Sequence, residues 1–139
     1  SPHAKERLLG HLHEGNRASA SQAPVNAILA FERNWQKRFP EFAPHAVAAQ
    51  KFFEDEGERI PLGRLCAQVQ AGYFITAVRA LGLDAGPITG ADFEAITADA
   101  VLLGEQDQQP FLVVNIGYGL GPFRERGVRF SFEQTTRTV

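Results

Sequence analysis

The sequence predicts one layered α/β domain, and three observations carry that reading. Residues 24–31 (PVNAILAF) and 110–117 (PFLVVNIG) are short, mostly apolar runs of the length and residue type expected of buried strands. Residues 61–83 form a much longer apolar stretch with helical spacing. The 139 residues suit a single domain, able to bury on the order of two thirds of its unfolded surface. With 44% hydrophobic and 22% charged residues, disorder and low complexity are excluded.

Taken in order, residues 4–14 read as a helix with Leu8, Leu9 and Leu12 on one side, started by Ser1-Pro2 and stopped by Gly15-Asn16. The Ser-rich residues 18–23 then read as a loop, and 24–31 as the first strand. Residues 32–42 place Trp35, Phe39 and Phe42 at helical spacing, interrupted by Pro40. Residues 46–57 continue as a helix with Val47, Phe52 and Phe53 inward and Glu54, Asp55 and Glu56 outward. In the helix at 61–83, Pro61 suits the start and Gly82 the stop. Its first half is one-sided through Leu62, Leu65, Cys66 and Val69, and its second half is apolar nearly all round. Such a helix must be enclosed by the domain core or by a partner subunit. Residues 84–90 (DAGPITG) read as a turn-rich loop, 91–98 as a short helix begun by Asp92, and 104–109 as a polar loop. After the strand at 110–117, the tail is glycine-rich, then arginine-rich, and residues 129–132 alternate like an edge strand. Two strands make a thin sheet, so further sequence or a second subunit is expected beside them.

Function classes narrow quickly. Fourteen basic and sixteen acidic residues give a net charge of -2, which argues against a general nucleic-acid binder. Charged and amide residues interrupt the longest apolar stretch, so a bilayer span is not expected, and the chain reads as a soluble protein. The single cysteine, Cys66, excludes an internal disulfide framework and fits a reducing, cytoplasmic compartment. Mid-helix on the apolar side, it reads as a small core residue. His11 and His13 point to different sides of a helix, read as surface histidines, and no metal site is expected. No nucleophile elbow, phosphate loop or zinc helix occurs, and Gly117-Tyr-Gly-Leu-Gly lacks dinucleotide spacing. Two weaker signals remain. Arg124 and Arg126 project to one side in extended chain and suit one phosphate, although a solvated basic tail has the same spacing. Residues 84–92 feed a loop into a helix, where backbone N–H groups can face an electron-rich atom, although a rigid turn has the same composition.

Together these signals stand in a familiar order. Residues 70–92 (QAGYFITAVRALGLDAGPITGAD) resemble the central helix and flavin loop of the FMN-dependent nitroreductase family. Residues 114–119 (VNIGYG) resemble its last core strand, and 124–133 (RERGVRFSFE) its C-terminal phosphate segment. Residues 14–17 (EGNR) and 23–28 (APVNAI) resemble the branch containing malonic semialdehyde (3-hydroxypropionate) reductases. The resemblance implies an α/β (α+β) layered fold, a mixed sheet flanked by helices, in an interlocked homodimer with two FMN molecules at the interface. It implies that Pro87, Ile88, Thr89 and Gly90 lie along the flavin ring, with Thr89 and Gly90 offering hydrogen bonds near the reactive ring nitrogen and its neighbouring carbonyl. Thr89 stands where serine or glutamate is more usual and keeps the backbone N–H. Arg124 and Arg126 would hold the FMN phosphate, with Arg129 in a supporting place. Residues 66–80 would supply the dimer core. Residues 1–9 resemble the helix that follows the family's first strand, so the family's opening helix, Arg-rich segment and first strand are not matched here.

The activity implied is transfer of hydride from NAD(P)H through flavin to a nitro, quinone or aldehyde small molecule. The cofactor carries that chemistry, so no residue is named as catalytic acid or base. The alternative reading is a non-catalytic dimeric relative acting as an interaction or flavin-sequestering module. A third is a general phosphate-binding domain built on the arginine tail.

Overall fold

In the computed structural model, which describes residues 1–104, 107–121, 125 and 127–139, three strands form one sheet among those residues. The strands are β1 (Val25–Glu32), β2 (Asp84–Ile88) and β3 (Gln108–Gly117), in the order β1-β3-β2. Both pairings are antiparallel, so the described sheet is not the mixed one expected. β3 is central, which matches its continuous β-branched sequence. Leu29 pairs with Leu112 and Ala30 with Pro110, leaving Phe111 as the extra residue of a bulge. That bulge brings Phe111 beside Phe31 and Ala71 on one side of the sheet, while Val113 joins Leu8, Leu12, Ala20, Ile88 and Ile96 on the other.

Helices cover both faces. α1 (Pro2–His11), α2 (Glu14–Gln22) and α5 (Phe93–Ala98) enclose the Val113 side, and α4 (Glu56–Ala80) crosses β1 and β2 on the other. Ser1 caps α1 by accepting from the Ala4 N–H at 3.2 Å, and Asp92 caps α5 by accepting from Ala95 at 2.9 Å. Gly82, at φ 79°, ends α4 as expected, because only glycine takes that left-handed turn without strain.

Several sequence-based expectations change. Gly15-Asn16 does not stop a helix: α1 ends at His11, and the Ser-rich segment forms α2, with Ala20 wholly buried. α4 begins at Glu56, five residues before Pro61, since Asp55 accepts from the Gly57 N–H at 2.6 Å and supplies the cap. Residues 84–88 form an edge strand rather than a loop. Pro87 is tolerated there because an edge strand leaves one row of N–H positions without a neighbour. Residues 32–53 form a 3₁₀ turn (Trp35–Arg38), α3 (Phe39–Phe42) and a 3₁₀ segment (Pro44–Phe53) in place of two helices. Trp35, Phe39 and Phe53 pack together there, with the Trp35 and Phe53 ring centroids 4.8 Å apart, while Phe52 and Val47 face outward. Residues 129–132 are not a strand: 129–131 have no regular structure, and Phe132 opens α6 (Phe132–Thr135). Cys66 is exposed and free, not part of the core.

Candidate functional site

Residues 87–90 span the end of β2 and the turn that follows it, and packing decides which of their groups are available. Ile88 is buried in the core beside Val113, so its side chain anchors the loop from below. Pro87 and Thr89 are exposed. The Ala91 N–H donates to the Thr89 carbonyl at 3.0 Å, closing a tight turn around Gly90. The Gly90 carbonyl accepts two hydrogen bonds, from the His13 N–H at 2.9 Å and from Asn16 Nδ2 at 3.0 Å. Among the described residues, neither the Thr89 nor the Gly90 N–H has an acceptor. Two neighbouring donors therefore stand open at the surface, where they can meet acceptor atoms on the edge of a planar ligand. Gly90 lets the Asn16 amide approach closely: a Cβ there would meet Asn16 Nδ2, which would have to move aside, and stand 3.2 Å from His13 Nδ1.

The strip behind the loop is stapled by charge. The Asp92 N–H donates to the His11 carbonyl at 2.8 Å, and Leu12 bridges Ala91. Arg7 Nε lies 2.8 Å from Asp99 Oδ2, His11 Nε2 lies 3.0 Å from the same oxygen, and the Val101 N–H donates to Oδ1 at 3.0 Å. These bonds, that from His11 foremost, hold the Asp99 carboxyl down at about 2 although it is buried. His11 is thus tied to a buried carboxylate rather than being an ordinary surface histidine. Among the described residues, no three His, Cys, Asp or Glu side chains gather to hold a metal.

At its other end β2 begins with Asp84, which pairs with Arg79 and accepts from the Gly119 N–H at 2.7 Å. The C-terminal tail therefore departs about 13 Å from the loop, four strand steps away. Arg124 and Arg126 lie outside the described residues. Arg129 is exposed, its guanidinium donating to the Gly127 and Val128 carbonyls. Clefts of about 740 and 430 Å³ open elsewhere, beside α1 and beside α4, and neither is lined by residues 87–90.

No profile of a known protein family matches the chain. A Streptomyces coelicolor protein carrying the provisional name NADH dehydrogenase/NAD(P)H nitroreductase is 41% identical over 141 aligned positions, spanning 100% of this chain and 70% of its own length. The chain belongs to the nitroreductase family. A Bacillus subtilis nitroreductase-family structure superposes with a TM-score of 0.82 at 14% identity, over 100% of this chain and 74% of that one. A nitroreductase-like structure from Exiguobacterium sibiricum, solved with FMN, gives 0.75 at 18% identity, over 100% and 73%. The nitroreductase fold is thus shared even where sequence identity is low.

Sequence reasoning singled out the loop and missed the residues that hold it. Asn16, His13 and the Arg7–His11–Asp99 cluster are brought there only by folding. Residues 14–17 entered as a family resemblance, which was the one available signal for Asn16.

Proposed function

We propose that this chain is an NAD(P)H-dependent FMN oxidoreductase of the nitroreductase type. When bound, FMN supplies hydride transfer from the nicotinamide to the substrate. The observation that carries the reading is the open pair of N–H groups at Thr89 and Gly90 on an exposed strand end, in a chain of this family. Pro87 and Thr89 would line the ring edge, the Thr89 and Gly90 N–H groups would donate to its nitrogen and carbonyl, and Ile88 would fix the loop from below. Arg124 and Arg126 would hold the phosphate, which the tail's departure from the opposite end of β2 supports. No described side chain is assigned as an acid or base.

A homodimer completes the site. Leu62, Leu65, Val69 and Tyr73 make an exposed apolar row on α4, and a second copy is the natural cover for it. Substrates are small electron-poor molecules: nitroaromatics, quinones or aldehydes, with malonic semialdehyde suggested by residues 14–17 and 23–28. An exposed free thiol at Cys66 suits the reducing cytoplasm. Among the described residues, no helix is long and apolar enough to cross a membrane.

The purified protein should be yellow or take up added FMN, and should oxidise NADPH or NADH when given a nitroaromatic, a quinone or malonic semialdehyde. A colourless protein that binds no added FMN would sink the assignment. Replacing Arg124 and Arg126 together with alanine should weaken FMN binding about tenfold or more while the melting temperature stays constant. Unchanged affinity removes the phosphate role.

A further inference from the structure

We propose that Asn16 is a positioning residue that aims the Gly90 N–H group, acting through the Gly90 carbonyl. The inference rests on the FMN reading above and adds a residue that does not itself carry the proposed hydrogen bonds. Three facts support it. Asn16 Nδ2 and the His13 N–H converge on one oxygen, at 3.0 and 2.9 Å, so the Gly90 carbonyl has both acceptor directions occupied and cannot swing. The Ala91 N–H fixes the Thr89 carbonyl at 3.0 Å, and in a planar trans peptide the Gly90 N–H then points the opposite way, out of the loop. The absence of a Cβ at Gly90 is matched to the Asn16 amide, since any larger residue would displace it.

The support is built on rigid structure. Asn16 lies in the first turn of α2, where its own N–H donates to the His13 carbonyl at 2.9 Å. Arg17 holds the preceding turn through the Leu12 carbonyl at 2.9 Å. The loop is thereby tied to residues 74 positions earlier in the chain, and its orientation does not depend on the exposed side chains of Pro87 and Thr89.

The test compares the wild-type chain with Asn16→Ala and the near-isosteric Asn16→Asp, each checked for a wild-type melting curve. Either variant with that curve is informative. In unloaded protein, amide exchange at His13 and Ala91 should quicken several-fold, because both N–H groups belong to the clamp. FMN affinity, read by quenching of flavin fluorescence, should fall about three- to tenfold, the range for losing one hydrogen bond. The decisive readout is 5-deaza-FMN, in which the ring nitrogen acceptor is replaced by C–H. Wild type should prefer FMN to it, and the variants should lose that preference. Equal losses for both flavins, or an unchanged preference, would overturn the positioning role while leaving the FMN reading intact. Failure of the wild type to bind FMN would overturn both.

Discussion

Asp99 shows how much a single side chain contributes to the frame behind the loop. Its carboxylate, 2% exposed, sits between Arg7 and His11 one turn apart on α1 and caps the chain at Val101. Because its folded-state value is held at about 2, below the ordinary 3.8, it adds stability that is fully present above pH 4 and is lost as pH falls towards 2. Melting temperatures measured across that interval should drop in the wild type, and the drop should be shallower in Asp99→Asn. Equal slopes would remove Asp99 from the acid response. Gly63 is constrained in another way: a Cβ there would lie 2.6 Å from Trp35 Nε1. Gly63→Ala should therefore destabilise by about 1–3 kcal/mol in a denaturant titration, as overpacking does. Neither residue was legible as special, since each is defined by a partner far along the chain.

Among the elements, α4 was the most legible and its start the least. The helical spacing and Gly82 were read correctly, but Pro61 drew attention from Asp55, whose side chain caps the first turn ahead of Glu56 and Glu58. Asp55→Ala should lower stability by about 1 kcal/mol, read as a shift in the urea midpoint with constant slope. Arg59 reinforces this start: it is buried, and its guanidinium donates to the Arg33, Phe53 and Glu54 carbonyls at 2.7–3.1 Å. The Phe53 and Glu54 carbonyls belong to the turn just before α4, whereas Arg33 lies 26 positions earlier and is brought to Arg59 only by the fold, so the sequence offered just an acidic stretch with an arginine in it. β2 was hidden for a related reason. Asp84-Ala-Gly-Pro-Ile has turn composition, and it becomes a strand because the edge of β3 offers it a ladder.

At the level of the whole molecule, the exposed α4 row is the main unfinished surface. Leu65 is 58% and Tyr73 73% exposed, far more than a helix of this apolar character tolerates without cover. If the proposed homodimer buries this row, Leu65→Glu should give a folded protein that elutes as a monomer in light-scattering chromatography, against a dimeric wild type. A variant that remains dimeric would place the interface elsewhere.

What the amino-acid sequence determined by itself was the part written in local periodicity and composition: β1, β3, the body of α4 and the layered class. The tertiary structure alone decided that residues 84–88 are a strand, that Ser-rich residues form α2, and that Asn16 and His13 grip Gly90. The physical reason is range. Helical and strand patterns arise from neighbours within a few residues, whereas a hydrogen bond spanning 74 positions exists only after the sheet and helices have brought its partners together.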